Sequence, residues 1–410
     1  MKDVVIAGYL RTAQSRSRPG DPDRDLFGQL RADDLLAGLI PPVLHQAGVG
    51  GKDVDDFIVG SALGVTEGWT YGGRTPVFLA NLPATVPAKF IDQQCGSGMA
   101  AIHTGYLEIA GGMADVVIAA GMEHMTRVPM GPALFKSGVL SVNERLYTED
   151  QYLQWDIATA LNMGLTAEKL FERTSLTRAD LDRWGARSHQ LAAAAYDAGF
   201  FKDEILPVAA PQADGSLRVV DRDAAVRPDA TAEKMAELRP VFKPDGVITA
   251  GNASPLNAGA AAMVLMSAET ARQRGITPLG TIRSAGVAGV DPTVMGKGPV
   301  PAVRRALEPL GLKPADIDRW EINEAFAVVV LYAIEALGID PERVNVMGGG
   351  IAIGHALGAT GVRLTGTLAR ILAQSQRSQK SQRRGRFGCA AACIGGGQGI
   401  ATIIEATAGA

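Results

Sequence analysis

The chain has 410 residues, 47% of them hydrophobic, and its 43 acidic and 40 basic residues give a formal net charge of -3 at pH 7. A chain so close to neutral lacks the positive surface that nucleic acids and anionic membranes require, so we expect small-molecule chemistry and no nucleic-acid partner. Three cysteines are too few for a disulfide framework, and the length predicts two or three packed lobes of roughly 100 to 200 residues each.

Neither the amino-terminal residues nor the longest apolar stretch indicates a targeting or membrane segment. Asp3 interrupts the region that would be basic in a secretory signal. The longest apolar stretch, residues 258–266, is about half of what a membrane-spanning helix needs. We therefore expect no integral membrane segment and a cytoplasmic protein with reduced thiols.

Short β-branched runs alternate with Ala- and Leu-rich helical stretches in the first part of the chain. The predicted strands are residues 4–7, 57–59, 89–91 and 116–120, and the predicted helices are 32–47 and 99–110. This alternation indicates an α/β protein.

Residues 122–249 differ in composition and are rich in Met, Pro and charged residues, with a predicted helix at 181–199. Two interpretations stay open for this region. It is either a loop-rich lobe that covers a substrate site or a plain connecting subdomain.

The last part of the chain returns to the α/β pattern. Helices are predicted at residues 302–310, at 327–336 and from His355 to about residue 373, and a strand at 389–393. Residues 374–386 are basic, contain no acid and have low complexity, which favours a solvated loop over a binding patch.

An internal repeat relates the two ends of the chain. Residues 47–60 align without gaps on residues 310–323, with matches at Asp53/Asp316 and Asp55/Asp318. In each copy a helix precedes the segment and a strand ends it. We therefore predict two similar α/β halves, residues 1–121 (completed by 250–270) and 271–410, with the insertion 122–249 between them.

Cys95 lies in the sequence Gln-Cys-Gly-Ser-Gly, after a predicted strand and at the start of a predicted helix. Backbone N–H groups at a helix start stabilise a thiolate, so we expect a lowered pKa for Cys95. An isolated cysteine is commonly an inert core residue. The flanking Gly96 and Gly98 favour the nucleophile, because they permit the tight turn that a nucleophile elbow needs.

His355 occupies the equivalent place in the second half, within a glycine-dense turn at residues 348–355 that precedes a helix. A catalytic base and a core histidine held by a backbone carbonyl are both compatible with that turn. Equivalent positions in two pseudo-symmetric halves tend to converge at the interface between them. We therefore expect Cys95 and His355 to meet there.

Two further segments carry candidate chemistry. Cys393 begins Cys-Ile-Gly-Gly-Gly-Gln-Gly, whose glycines weaken a strand and are better explained by backbone N–H groups exposed to an oxyanion. Cys389, inside the apolar strand, is predicted to be structural. Asn323 ends the strand of the second repeat. It is either a helix cap or an amide that holds a water or a substrate carbonyl.

Together these segments resemble the thiolases, the acetyl-CoA C-acyltransferases. The resemblance rests on residues 94–99, 323–327, 348–355 and 393–399, in the order typical of the family, with weaker matches at 121–125, 163–168, 249–254 and 298–302. It implies a thiolase-like αβαβα fold of five layers, in which a loop domain covers the CoA site.

The resemblance also implies the roles of individual residues. Cys95 would accept the acyl group, His355 would activate it, and Cys393 would move the α-proton of the acetyl unit. One oxyanion hole would be formed by the N–H groups of Cys95 and Gly395. The other would be formed by His355 and a water held by Asn323.

The implied activity is CoA-dependent thiolytic cleavage of 3-ketoacyl-CoA to acetyl-CoA and a shortened acyl-CoA, with no metal and no cofactor. Arg227, Ser254 and Met163 match family positions that contact CoA. The expected partners are acyl-CoA and CoA, a second copy in a homodimer or homotetramer, and a β-oxidation partner subunit.

Departures from the family pattern bear on the type of thiolase. Ala356 replaces the usual proline after the histidine, which puts the rigidity of that turn in doubt. Asn162 stands where biosynthetic acetoacetyl-CoA thiolases usually have histidine, and Ala258 replaces a common aspartate. These features resemble the degradative, broad-chain branch more than the biosynthetic one.

Three other classes of protein fit the sequence less well. A ketoacyl synthase is disfavoured by the second cysteine at 393. A non-catalytic acyl-CoA or lipid-binding relative would not need to retain Cys95, Asn323, His355 and Cys393 together. A dinucleotide-binding oxidoreductase is excluded because no Gly-x-Gly-x-x-Gly follows the first strand.

Overall fold

The computed structural model describes residues 1–128, 141–377 and 386–407. Its strands are β1 (Val4–Thr12), β2 (Ser15–Arg16), β3 (Asp56–Gly60), β4 (Ala88–Ile91), β5 (Val116–His124), β6 (Ile205–Leu206), β7 (Val208–Pro211), β8 (Leu217–Val220), β9 (Asn257–Ser267), β10 (Gly280–Gly289), β11 (Arg319–Ile322), β12 (Phe387–Ile394) and β13 (Gln398–Glu405).

The described α-helices alternate with these strands. They are α1 (Ala32–Gln46), α2 (Arg74–Leu79), α3 (Ser97–Ala110), α4 (Arg145–Thr148), α5 (Asp150–Leu153), α6 (Ile157–Ala160), α7 (Met163–Phe171), α8 (Arg178–Asp197), α9 (Ala232–Ala236), α10 (Ala268–Gln273), α11 (Pro299–Leu307), α12 (Ala327–Leu337), α13 (Gly350–Ile353) and α14 (Leu357–Arg377).

The main strands follow the order β11-β12-β13-β10-β1-β9-β5-β3-β4, and the two sections of this order repeat each other. The first section runs β4-β3-β5-β9-β1 and the second β11-β12-β13-β10. They join where β1 and β10 pair antiparallel, with Val5 opposite Thr281. In this repeat β11 corresponds to β3. A single bridge between Trp320 and Val344 lies beside β11, at the position that β4 occupies beside β3. The sequence repeat therefore folds as two copies of one topology.

The helices form three layers around the two sections. Helices α3 and α14 pack against each other in the middle, α1 covers the outer face of the first section, and α11 covers that of the second. Side-chain alternation along β5 produces this layering: Val116 and Ile118 face α1, whereas Val117 and Ala119 face the central helices. The predicted five-layered α/β fold is confirmed.

The longest apolar stretch of the sequence is the central strand β9. All of its residues are buried, because helices cover both faces of the sheet at that position. No helix within the described ranges is both long and apolar enough to cross a membrane.

The inserted region lies between the end of β5 at His124 and the start of β9 at Asn257. It contains helices α4 to α9, the short strand β6 and the hairpin of β7 and β8. Met130, one of the methionines that distinguish this region, lies outside the described residues, as do residues 378–385 of the basic stretch predicted as a solvated loop. The predicted limits of the insertion, 122 and 249, stay predictions.

Candidate active site

The turns that carry Cys95, His355 and Cys393 meet at the junction of the two halves. Cys95 lies in a 3-10 turn between β4 and α3, and Cys393 lies near the end of β12. A Cβ atom on Gly96 would lie 2.4 Å from the Ile394 side chain, so the two segments are in direct contact. The turn after His355 completes the site, because Leu357 belongs to the same buried cluster as Cys95.

The close approach of these turns depends on glycine. A Cβ on Gly98 would lie 2.2 Å from the carbonyl oxygen of Gly358, a contact that no other residue could make without moving the backbone. Gln94, directly before the cysteine, has a φ of 47° in the left-handed region. Such strained non-glycine residues cluster at functional sites, where the surrounding packing holds them.

The expectation of a lowered pKa for Cys95 is wrong. Burial raises the pKa of the Cys95 thiol to about 11, and the nearby Glu123 adds to the increase. Hydrogen bonds from the backbone N–H groups of Gly395 and of Cys95 itself act in the opposite direction, but they do not outweigh desolvation. These N–H groups are the ones that the resemblance assigns to an oxyanion hole, and both point towards the Cys95 sulfur.

His355 is buried and held in one tautomer. Thr360 donates its only hydroxyl proton to the carbonyl oxygen of Ala356 at 2.8 Å, so its Oγ1 accepts from Nδ1–H of His355 at 2.7 Å. The lone pair of the imidazole is therefore on Nε2. Burial, followed by the charge of Arg363, lowers the pKa of His355 to about 3. The imidazole is neutral at physiological pH and can accept a proton.

Asn323 is not a helix cap. Helix α12 begins at Ala327 and is preceded by Phe326, whereas the Asn323 amide nitrogen donates to Nε2 of His355 at 3.2 Å. Its Oδ1 is buried and has no hydrogen-bond partner within the described part of the chain. The amide therefore lies in the site with one polar atom available to a ligand.

Cys393 and Cys389 differ in their surroundings. Burial raises the pKa of both thiols, but the neighbouring Cys95 contributes only to the increase at Cys393. Cys393 therefore lies close to Cys95. Cys389, four residues earlier on β12, is also fully buried, and the structural role predicted for it stays a prediction.

Two buried glutamates without a role in the sequence prediction hold the site together. The Glu123 carboxylate accepts hydrogen bonds from the N–H groups of Ala62 at 2.8 Å and Gly358 at 3.0 Å, and from the Ser61 hydroxyl at 3.0 Å. It thereby connects the end of β3 to the turn after His355. Burial raises the pKa of Glu123 to about 7.

The second glutamate, Glu324, joins the insertion to the catalytic turns. Its carboxylate accepts from Trp184 at 3.0 Å and Ser188 at 2.6 Å, both on helix α8. It also accepts from the Asn345 side chain at 2.8 Å and from the N–H group of Ile351 at 3.2 Å. Both glutamates belong to segments that carry the resemblance to the thiolases. Their place in those segments is the sequence signal that could have identified them.

The three residues predicted to contact CoA lie at different depths. A Cβ on Gly395 would lie 3.3 Å from the sulfur of Met163, so Met163 borders the catalytic turns. Ser254 donates its hydroxyl to the carbonyl oxygen of Ala325 at 3.2 Å and is partly buried. Arg227 is exposed on the insertion. Met163 thus lies beside the catalytic turns, Ser254 contacts the segment that follows Asn323, and Arg227 lies at the surface.

Asn162 and Ala258 have plain structural positions. The Asn162 side chain caps helix α7 by accepting from the N–H group of Leu165 at 3.2 Å. Ala258 is buried in β9, opposite Ser15 and His124.

Comparisons with known proteins agree with this geometry. The family model for the thiolase N-terminal domain matches residues 4–269, and the family model for the thiolase C-terminal domain matches residues 276–406. A 3-ketoacyl-CoA thiolase of Marinobacter nauticus is 40% identical over 409 residues, covering 98% of each chain.

Solved structures give the same result. The acetyl-CoA acetyltransferase of Bacillus anthracis superposes with a TM-score of 0.85 at 36% identity, over 99% of both chains. Human mitochondrial 3-ketoacyl-CoA thiolase in complex with CoA has a TM-score of 0.84 at 33% identity, over 99% of this chain and 98% of that one. The chain belongs to the thiolase family.

Proposed function

We propose that the chain is a degradative thiolase, which cleaves 3-ketoacyl-CoA with CoA to yield acetyl-CoA and an acyl-CoA shortened by two carbons. The observation that carries this proposal is the convergence of Cys95, the neutral His355 and Cys393 in one buried site. Cleavage of a carbon–carbon bond next to a ketone needs a nucleophile, a base to activate it and an acid to protonate the departing enolate. These three side chains supply those functions.

In the proposed first half-reaction, Nε2 of His355 takes the proton of Cys95 as the sulfur attacks the 3-keto carbon. The bond between C2 and C3 then breaks, and Cys393 gives its proton to C2, which releases acetyl-CoA and leaves an acyl group on Cys95. The N–H groups of Cys95 and Gly395 would bind the oxygen of the carbon that the sulfur attacks, and the proposal is supported by the hydrogen bonds through which both lower the pKa of the Cys95 thiol.

In the second half-reaction, the Cys393 thiolate takes the thiol proton of CoA, and the CoA sulfur attacks the acyl carbon. The Cys95 sulfur leaves and recovers its proton from His355, which restores the resting site. In the first half-reaction, the enolate oxygen of the acetyl unit would be bound by Nε2–H of the protonated His355 and by a water held by Asn323. Each catalytic group thus regains its starting protonation state, and the CoA thiol proton replaces the one that Cys393 gave to C2. The cycle therefore needs no external acid, base or redox partner, and we propose no resident metal or cofactor.

We propose that Met163, Ser254 and Arg227 bind CoA, with Met163 beside the reactive thiol and Arg227 towards the nucleotide. This order follows their depth, since Met163 lies against Gly395 and Arg227 is exposed. Because the cycle requires Cys95 and Cys393 as free thiols, we place the protein in the reducing environment of the cytoplasm.

A direct assay tests the proposed activity. Purified protein is incubated with CoA and either acetoacetyl-CoA or a long-chain 3-ketoacyl-CoA, and the products are identified by mass spectrometry. We expect acetyl-CoA and the shortened acyl-CoA from both, with a higher kcat/KM for the long substrate. Absence of both products would refute the thiolase activity.

A biosynthetic acetoacetyl-CoA thiolase is the second candidate, supported by the similarity to the acetyl-CoA acetyltransferase of Bacillus anthracis. The same assay separates the two. Turnover restricted to acetoacetyl-CoA would favour the biosynthetic type.

We also propose self-association through the edge strand β4, as a homodimer or a homotetramer. Trp69, Tyr71 and Phe78 lie in the segment that connects β3 to β4 and are 58%, 67% and 59% exposed. An unpaired strand edge beside exposed aromatic side chains is typical of an interface. Light scattering should show a dimer or tetramer that Phe78→Glu weakens. Association with a β-oxidation partner subunit stays a prediction.

A further inference from the structure

The backbone turn that carries His355 is held by two amide side chains. The N–H group of His355 donates to Oδ1 of Asn257 at 2.8 Å, and the N–H group of Ala356 donates to Oε1 of Gln14 at 3.0 Å. Gly354 has a φ of 122°, and a Cβ atom there would lie 2.6 Å from Oε1 of Gln14 and 2.7 Å from Nδ2 of Asn257. Glycine is needed at this position because both amides pack against the turn. The location of His355 therefore depends on these two side chains.

Gln14 is in turn held by the insertion. Its backbone N–H group donates to Oδ1 of Asp223 at 2.8 Å, and its carbonyl oxygen accepts from the N–H group of Ala224 at 2.9 Å. Gln14 and Asp223 are 2% and 4% exposed, so these hydrogen bonds lie away from solvent. The insertion thus fixes the backbone from which the Gln14 side chain reaches the N–H group of Ala356.

The Asp223 carboxylate has a fixed position, because each of its oxygens accepts two hydrogen bonds. Arg11 donates to both oxygens, at 2.7 and 3.0 Å, and Gln14 donates to Oδ1. The hydroxyl of Tyr196, near the end of helix α8, donates to Oδ2 at 2.8 Å and accepts from the N–H group of Asp223 at 2.8 Å. These donors fill the acceptor sites of the carboxylate. Asp223 therefore connects α8 firmly to Gln14.

Helix α8 also contacts the segment that carries Asn323. Two side chains from the middle of α8 donate to the carboxylate of Glu324, which directly follows Asn323. At the end of the same helix, Tyr196 leads through Asp223 and Gln14 to the His355 turn. The side chains of Asn323 and His355 meet with 3.2 Å between Nδ2 and Nε2. One helix of the insertion is therefore linked to both partners of this contact.

We infer that Asp223 and Gln14 are positioning residues for His355, through which helix α8 sets the placement of His355 relative to Asn323. The inference rests on the proposed function, in which His355 and a water held by Asn323 bind the enolate oxygen. Catalytic groups must be held to within about 0.5 Å of their productive geometry, which a helix linked to both segments can provide. The arrangement depends on Ala356, because a proline there would have no N–H group for Gln14 to bind.

Gln14→Met tests the link nearest to the histidine, because methionine has a similar length but lacks the amide oxygen. In this variant kcat for thiolysis should fall at least about fivefold, while KM for CoA changes by less than about twofold. Tyr196→Phe removes the hydroxyl that joins α8 to Asp223 and should lower kcat at least about twofold in the same way. Asp223 itself is left unchanged, since its loss would leave the buried Arg11 charge without one of its partners.

A rescue experiment separates positioning from a general loss of structure. In the background of Ala356→Pro, no N–H group is left for Gln14 to accept, so adding Gln14→Met should change kcat by less than about twofold. The kcat values are measured at a temperature at which circular dichroism shows each variant to be fully folded. An equal decrease in kcat with and without Ala356→Pro would overturn the inference, because the effect would then not depend on this hydrogen bond.

A spectroscopic measurement tests the same link without substrate. The protein is labelled with ¹⁵N-histidine, and the imidazole resonances of His355, one of five histidines, are assigned by their loss in His355→Ala. Gln14→Met and Tyr196→Phe should both shift these resonances. The matched controls are Gln273→Met and Tyr147→Phe, which remove the same groups from exposed positions and should change neither the resonances nor kcat.

Unchanged His355 resonances and unchanged kcat in Gln14→Met and Tyr196→Phe would overturn the inference. Failure of the proposed function is distinguishable from this outcome. A wild-type protein without thiolysis refutes the proposed function, and the resonances of His355 then decide by themselves whether Gln14 and helix α8 position this side chain.

Discussion

The side chain of Gln14 accepts a hydrogen bond from the backbone N–H group of Ala356 at 3.0 Å, directly beside His355. A proline at position 356, the residue that the family usually has there, would have no N–H group to donate. The flexibility expected from Ala356 is thus countered by a side chain from the other half of the chain. Asn257 acts in the same way, since it accepts from the N–H group of His355 at 2.8 Å.

We expect Gln14→Leu to lower the free energy of unfolding by about 1–3 kcal/mol, because it leaves the buried N–H group of Ala356 without an acceptor. Adding Ala356→Pro removes that N–H group, so the double variant should recover part of the loss. Denaturant unfolding of the wild type, both single variants and the double variant measures the coupling between the two positions. Additive effects would show that the hydrogen bond contributes nothing specific.

Asn323→Ala should reduce kcat/KM for thiolysis by an amount equivalent to about 2–4 kcal/mol of transition-state stabilisation, the typical effect of removing one oxyanion donor. The Nδ2 of Asn323 donates to His355, and its Oδ1, which can only accept, would hold the water that donates to the oxyanion. Circular dichroism and thermal unfolding verify that the variant is folded. Near-normal turnover in a folded Asn323→Ala protein would exclude this residue from catalysis.

Local patterns in the sequence were sufficient to predict the repeat, the α/β class and the turns that carry the chemistry. Alternation of strand and helix specifies each half, and the matching segments at 47–60 and 310–323 lead to β3 and β11. The strand at 89–91 and the helix at 327–336 were placed within one residue of β4 and α12. These elements follow from side-chain periodicity and glycine turns, which are local properties.

The sequence could not reveal what depends on distant contacts. Burial under turns from the other half and the charge of Glu123 raise the pKa of Cys95. The position of Cys95 at the start of a helix indicates neither effect. The bond from Gln14 to Ala356 joins residues 342 positions apart. The order of strands around β1 and β10 is likewise a tertiary feature, invisible to local periodicity.

The pKa of the Cys95 thiol, about 11, predicts how the free enzyme reacts with iodoacetamide. At neutral pH the site holds a protonated thiol and a neutral imidazole, since the pKa of His355 is about 3. The thiolate fraction, and with it the alkylation rate of Cys95, should rise about tenfold for each pH unit between pH 7 and 10. A plateau below pH 8 would show that the free enzyme already contains a thiolate–imidazolium pair.

Glu123→Gln tests the cause of that pKa. Glutamine can still accept from the N–H groups of Ala62 and Gly358 and can donate to Ser61, but it carries no charge. The pKa of Cys95 should therefore decrease, and alkylation at pH 8 should become faster. Glu149→Gln, an exposed carboxylate far along the insertion, is the control and should not change the rate.

The last prediction separates the two catalytic cysteines by the step that each performs. Cys393→Ser keeps a hydroxyl of similar size but raises the pKa of the group by several units, which makes proton abstraction from carbon poor. This variant should still take an acyl group on Cys95 from acyl-CoA. It should lose both thiolysis and the exchange of acetyl-CoA methyl protons with solvent deuterium.

Cys95→Ser should instead lose stable acylation, because a serine hydroxyl is a much weaker nucleophile than a thiolate. Mass spectrometry of the peptide that contains residue 95 follows acylation, and NMR follows methyl exchange. Cys389→Ser is the control, since that thiol is buried on the same strand and should affect neither step. Near-normal methyl exchange in Cys393→Ser would make Cys393 a structural thiol and would remove the acid that the cleavage step requires.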